Sequence, residues 1–267
     1  MKTLAEKALQ GEPLDDITII DAHNHIGCWS AFYVPGGGTI EQMIRRADCL
    51  GIDKLCITAH ASIGPDYVYG NDMVFDAIQK YPDRVIGYVT VNPNYPEDMR
   101  HELDRCFSRP GFRAIKLHPG CHSREVDYRT YAPAYELANE RSLTILIHTW
   151  GRADVVAVDR LASRYPRANF IIAHMGGDQL VMEQSLDIIN SHDNVYGDLA
   201  ISTPQESNVE YFVQTAGSKK IIFGTDMPFY DPSFTLARTA AAQIPLEAKK
   251  DIFAGNISRL LGRIPEL

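Results

Sequence analysis

Eight short apolar runs rich in Val and Ile, each followed by a longer stretch of helical period, recur at about 29 residues, close to the roughly 30 of a strand-helix-strand unit. The runs are residues 17–23, 54–59, 85–91, 114–118, 143–148, 169–174, 195–199 and 221–225. The helical stretches are 40–50, 71–80, 97–107, 131–141, 153–164, 179–191, 206–216 and 233–253, the last broken at Pro245. Strands this uniformly apolar are buried on both faces. Eight such units point to a closed (β/α)8 barrel of the TIM type, an α/β fold, over an open doubly wound sheet. An open sheet would place a glycine-rich phosphate turn after its first strand, where this chain has His23-Asn24-His25. No linker rich in Pro, Gly or Ser divides the chain, so one domain is expected over 1–267. It includes an amphipathic lead-in over 1–16, with Leu4, Ala8 and Leu9 on one side, and a closing helix over 254–267.

Charge and composition exclude some partners. Lys+Arg 26 against Asp+Glu 34 gives a net charge of -8, the wrong sign for tracking phosphate backbones, so no nucleic acid is expected. No apolar run approaches the roughly 18 residues of a membrane span, and residues 1–16 lack the apolar centre of a signal peptide. A cytoplasmic protein with no membrane partner is the expectation. The five cysteines have no CxxC spacing, which fits reduced structural thiols. Gly36-Gly37-Gly38 reads as a loop at the barrel mouth, either plainly flexible or a mobile lid.

In such barrels catalytic side chains project from the carboxyl ends of several strands. His23 and His25 end the first run, His60 the second, Asn92 the third, Lys116 and His118 the fourth, His148 the fifth, His174 the sixth, Asp198 the seventh and Asp226 the eighth. Strand alternation puts His23 and His25 on one face with Asp21 in line behind them. His23, His25, His148 and Asp226 make a three-nitrogen, one-oxygen donor set suited to a borderline cation such as Zn2+, with a position open for water. His174 is either a catalytic imidazole or a ligand of a second metal. Lys116 is a substrate-carboxylate partner, a structural ion pair or, if carboxylated, a bridge between two metals. His60, His118, Asn92 and Trp150 are candidate pocket residues, and Arg152 a candidate anion clamp. Asp198 is placed to orient a ligand histidine through its other ring nitrogen. The loop aromatics suit a ring or planar acid as the small-molecule substrate, and a homo-oligomer is left open.

Asp21-Ala22-His23-Asn24-His25, His148, His174-Met175-Gly176-Gly177, Gly224-Thr225-Asp226-Met227-Pro228 and the tail from Phe253 to Leu261 together resemble the metal-dependent amidohydrolase superfamily. The branch it is similar to includes the aminocarboxymuconate semialdehyde decarboxylases. The resemblance implies His23, His25, His148 and Asp226 as ligands of one divalent ion, with His174 as the catalytic imidazole. In binuclear members a carboxylated lysine at the place of Lys116 bridges two ions, and His148 and His174 bind the second. The first expectation is hydrolysis of a small amide, lactone or ester by metal-activated water, with Asp226 as base and His174 steadying the oxyanion. The alternative is non-oxidative decarboxylation, or hydration, of a small carboxylic acid. A non-catalytic barrel would not need the full ligand set.

Overall fold

A computed structural model describes residues 2–200 and 205–262. Its centre is a parallel sheet in sequence order: β1 (Ile20–Ile26), β2 (Lys54–Ala59), β3 (Val85–Thr90), β4 (Phe112–Leu117), β5 (Thr144–Ile147), β6 (Asn169–Ile172), β7 (Val195–Asp198) and β8 (Ile221–Ile222). The strand after Asp198 returns to the first: Ala22 N donates to Phe223 O (3.0 Å), Asp226 N to His23 O (2.8 Å) and His25 N to Met227 O (2.8 Å). These bonds close the (β/α)8 barrel.

The helices are α1 (Leu4–Leu9), α2 (Ile40–Leu50), α3 (His60–Ile63), α4 (Tyr67–Lys80), α5 (Pro96–Phe107), α6 (Ala132–Arg141), α7 (Arg152–Arg164), α8 (Gln179–Ser191), α9 (Asn208–Ala216), α10 (Pro232–Ala241), α11 (Leu246–Lys250) and α12 (Asn256–Leu260). Local chemistry explains several boundaries. Thr39 and Gln42 form a reciprocal capping box at the start of α2, which satisfies amides that the first turn leaves unpaired. Gly51 ends α2 at φ +76°, where a Cβ would come within 2.6 Å of Leu14 N. Pro245 separates α10 from α11, as its ring geometry requires.

Two apolar layers result. One lies between strands and helices; the other fills the barrel, where Ile20, Cys56, Tyr88, Ala114, Leu146 and Ile171 meet. Each fully buried Val, Leu, Ile or Phe contributes about 1.5–3 kcal/mol. Ala254, Ile257, Leu260 and Leu261 join the inner layer and Leu260 O accepts from Thr144 Oγ1 (3.0 Å). The tail therefore plugs one end of the barrel, and the open end is the carboxyl end of the strands.

Three expectations are corrected. The lead-in packs through α1 onto α10 with Leu4 buried, but Leu9 is 82% exposed. The closing helix covers Asn256–Leu260 after a wider turn over Asp251–Gly255, and the rest of that expectation, 263–267, lies outside the described residues. The first strand starts at Ile20, not at 17, because Ile19 N is taken by the Asp53 carboxylate (2.7 Å).

Candidate metal and acid-base site

The pairing of β1 with β2 shifts register between Asp21 and Asn24. Ile20 and Ala22 face the barrel interior below this irregularity, and His23 and His25 turn to the site above it. Asp21 is therefore not in line behind the histidines. Its carboxylate accepts from Thr225 N (3.0 Å), Thr225 Oγ1 and His23 N (3.3 Å), so it pins the end of the eighth strand to the first. Burial pushes its pKa up to about 7 against the pull of those bonds.

His23 Nε2, His25 Nε2 and Asp226 Oδ1 converge: Asp226 Oδ1 lies 3.2 Å from His25 and 3.6 Å from His23. The three buried groups bring ligand atoms within 4.8 Å of one another. The far nitrogen of each ring is already engaged. His23 Nδ1 donates to Asp198 Oδ2 (2.9 Å), and His25 Nδ1 to Thr58 Oγ1 (2.6 Å). Such outer partners fix the tautomer and turn the Nε2 lone pairs inward. Burial also holds His23 far below its usual pKa and His25 at about 3, so both rings are neutral, as ligands must be. The donor set fits a divalent metal ion.

Asp198 was expected to orient a histidine and does so. Thr58 was not expected; a threonine inside an apolar strand carries no local signal. Oδ1 of Asp198 also accepts His174 N (2.7 Å) and Ala200 N (3.1 Å). This holds His174 at φ +59°, a conformation rare without glycine. Asp226 is likewise at φ +61°, and non-glycine residues in this region cluster at functional sites. His23, His174 and Asp198 form a second close group, but Asp198 is consumed by the three bonds just described.

His174 Nδ1 donates to Ala200 O (2.8 Å), and its Nε2 lies 3.2 Å from His148 Nδ1. With Nε2 of His174 accepting, His148 keeps a lone pair on its own Nε2. His148 stands beside the His23, His25, Asp226 group and not within it. Lys116 is fully buried, with Nζ 2.7 Å from His23 Nε2, and burial lowers its pKa to about 8.

Above these groups is a cavity of about 330 Å³ lined by His25, Trp29, Phe32, Ile63, His118, His148, Trp150, His174, Asp226, Phe229 and Tyr230. The glycine loop shapes it: Gly27 N donates to Gly38 O (2.9 Å), closing the segment that carries Trp29 and Phe32. A larger cavity of about 590 Å³ beside α2 and α4 contains none of the histidines. Among the expected pocket residues, His118 and Trp150 border the mouth cavity, and His60 packs against its walls, ring to ring with Trp29 and Phe229. Lys116, Asn92 and Arg152 do not line it. Asn92 braces its own loop by accepting from Asn94 (3.0 Å), and Arg152 is exposed at the start of α7.

The amidohydrolase family model matches residues 59–263. The chain belongs to the amidohydrolase family. It is 21% identical over 244 residues, 74% of this chain, to 2-amino-3-carboxymuconate-6-semialdehyde decarboxylase of Dictyostelium discoideum, and spans 66% of that protein's length. A 5-carboxyvanillate decarboxylase from Novosphingobium aromaticivorans, complexed with manganese and 4-hydroxy-3-methoxy-5-nitrobenzoic acid, superposes with a TM-score of 0.78 at 16% identity, covering 94% of this chain and 98% of that one. A 2,6-dihydroxybenzoate decarboxylase from Rhizobium gives 0.76 at 16% identity over 92% and 98%. At these identities the two structures establish the shared fold.

The expectation of hydrolysis is overturned by these comparisons, because the sequence relative and both solved neighbours are decarboxylases. Burial raises the Asp226 pKa, but the neighbouring His25, His174 and Lys116 outweigh this and hold the carboxyl below its usual range. Among the described residues no helix is long and apolar enough to cross a membrane.

Proposed function

We propose that this protein is a metal-dependent, non-oxidative decarboxylase of a small planar carboxylic acid, with hydroxylated aromatic acids as the first class to test. The observation that carries this reading is the mouth cavity. Its walls are Trp29, Phe32, Trp150 and Phe229, and His25, Asp226 and His174 lie among its polar groups. Aromatic walls hold a planar ring, and the polar groups sit where a carboxylate would enter. The decarboxylase names of the relatives support the same chemistry.

His23, His25 and Asp226 would hold one divalent ion, with His148 as a further ligand. Bound there, the ion would supply positive charge that anchors and orients the acid. Zn2+ suits the donors, and the manganese of the Novosphingobium complex makes Mn2+ the other ion to load. The bond between the carboxyl carbon and the substrate breaks, CO2 leaves, and the electron pair left on carbon takes a proton. Asp226 is held ionised, so we assign the donor role to His174: with Nδ1–H held on Ala200 O, the proton it delivers is one taken up at Nε2 in place of the contact with His148 Nδ1. Trp29 and Phe229 keep water from the reacting carbon.

The test is CO2 release from a panel of hydroxybenzoic and unsaturated carboxylic acids by protein loaded with Mn2+ or Zn2+. Stripping with chelator should abolish release and re-addition restore it. His174→Asn should lower kcat by about a hundredfold or more. No CO2 from any acid by loaded protein, or cleavage of esters and amides instead, would overturn the reading.

A further inference from the structure

The lining of the mouth cavity divides by chemistry. Its imidazoles and the Asp226 carboxylate come from the strand ends, and the rest is Trp29, Phe32, Ile63, Trp150, Phe229 and Tyr230. Those six side chains carry polar atoms only as two indole N–H groups and one phenol, all uncharged. Among the described residues no Lys or Arg lines the cavity, and residues 201–204, Ile-Ser-Thr-Pro, include neither. Basic groups outside the lining are placed elsewhere. Lys116 is sealed, with Nζ against His23 Nε2 (2.7 Å), and Arg152 is exposed at the start of α7. Arg46 shares a neighbouring cavity with Phe229 and Tyr230 and is paired there with Asp231 (2.6 Å). Burial holds the His118 and His148 rings well below their ordinary pKa, so they are neutral. The formal charge left on the lining is that of Asp226, an anion.

One carboxylate has a place in this cavity, at the end formed by His25, Asp226 and His174; that much rests on the decarboxylase reading. A second carboxylate on the same molecule would have to lie against aromatic and aliphatic carbon. A charged group that leaves water without a partner of opposite sign incurs a large cost, and Asp226 adds repulsion between like charges. An apolar wall is far more tolerant of an uncharged substituent of the same size. We propose that the cavity selects acids with a single carboxylate on an otherwise uncharged body and excludes dicarboxylates of the same size. The exclusion belongs to the six wall side chains, so a cation placed among them should relieve it. Phe32 and Tyr230 are the places for one, because each lines the cavity and is also about half exposed.

The experiment is calorimetric titration of the metal-loaded full chain, near neutral pH, with benzoate, isophthalate and monomethyl isophthalate, alongside CO2 release from the acid panel. The last two compounds have nearly the same shape and differ by one charge. Isophthalate should bind about tenfold or more weakly than its monomethyl ester. Phe32→Arg or Tyr230→Arg should narrow that gap to within about threefold by pairing with the second carboxylate, and Phe32→Gln, which removes the ring without adding charge, should leave it. Melting temperature establishes that the variants are folded, and metal content after titration that the diacid has not stripped the ion. Equal binding of isophthalate and its ester, no binding of benzoate or the ester, or a gap that neither arginine narrows overturns the proposal. The expected gap without CO2 release from any acid sinks the decarboxylase reading and leaves the selection of a single charge standing. CO2 release from monoacids with isophthalate bound as tightly as its ester sinks that selection alone.

Discussion

Asp198 Oδ2 stands 2.9 Å from His23 Nδ1, while Oδ1 of the same carboxylate accepts the His174 amide at 2.7 Å. One sealed group at the end of β7 thus sets both His23 on β1 and His174 after β6, the proposed ligand and the proposed proton donor. Asp198→Asn keeps the size but loses the charge that fixes the His23 tautomer. Metal affinity is expected to fall about 10–100-fold, measured by competition with a calibrated chelator. Affinity unchanged within about twofold would show that the charge is not needed.

Thr58 does for His25 what Asp198 does for His23, with a hydroxyl in place of a carboxylate. Thr58→Val removes the acceptor at nearly constant volume and strands a buried Nδ1–H. Stability should fall by about 1–3 kcal/mol and metal affinity by about tenfold. Urea denaturation of the metal-free protein and chelator competition read the two effects separately. A loss of stability with intact affinity would confine Thr58 to packing.

Asp21 gives a pH dependence opposite to that of an ordinary paired aspartate. Burial lifts its pKa to about 7 in the folded chain, against an ordinary value of 3.8, so the native state keeps a proton that the unfolded chain releases. The contribution to stability is fully present below about pH 4 and is lost as pH rises through about 7. Asn in its place cannot titrate. The stability gap between wild type and Asp21→Asn should therefore shrink from pH 5 to pH 8, by about 1.4 kcal/mol per pH unit within the titrating window. Metal-free protein unfolded in urea at several pH values measures it, and a gap that stays constant would mean that Asp21 does not titrate there.

Where a boundary is set by adjacent residues, the sequence was enough. β2 is found at 54–59 and α2 at 40–50 as expected, because Thr39, Gln42 and Gly51 mark α2 locally. Where a boundary is set by distant partners, it was not. The run at 221–225 pairs with β7 only through Ile221–Ile222, since the following residues turn to bond β1. The histidines were found by a simple alternation that the shift between Asp21 and Asn24 breaks, so their common face was right and Asp21's place was wrong. Arg152 fitted by sequence distance from His148, yet a first-turn position on α7 leaves it exposed.

The rim of the cavity rests on a glycine that no motif reading would single out for its steric role. Gly177 has φ +82°, and a Cβ there would come within 2.5 Å of the Trp150 ring. Trp150 lies nearly parallel to His148 at 6.3 Å and edge-on to His174 at 5.9 Å, so a methyl group at 177 must drive the indole from the wall facing both. Gly151 is the matched control: its φ is +112°, but a Cβ meets nothing within 4 Å. Both alanine variants incur backbone strain of about 1–2 kcal/mol, and Gly177→Ala adds about 1–3 kcal/mol of overpacking. Only Gly177→Ala should shift the Trp150 emission, read in a Trp29→Phe background that leaves one of the two tryptophans. Only it should weaken benzoate binding, by about tenfold, through loss of a ring contact. If Gly151→Ala changed emission and binding equally, strain in the loop after β5 would be the cause, and the contact between Gly177 and Trp150 would have no special part in forming the cavity.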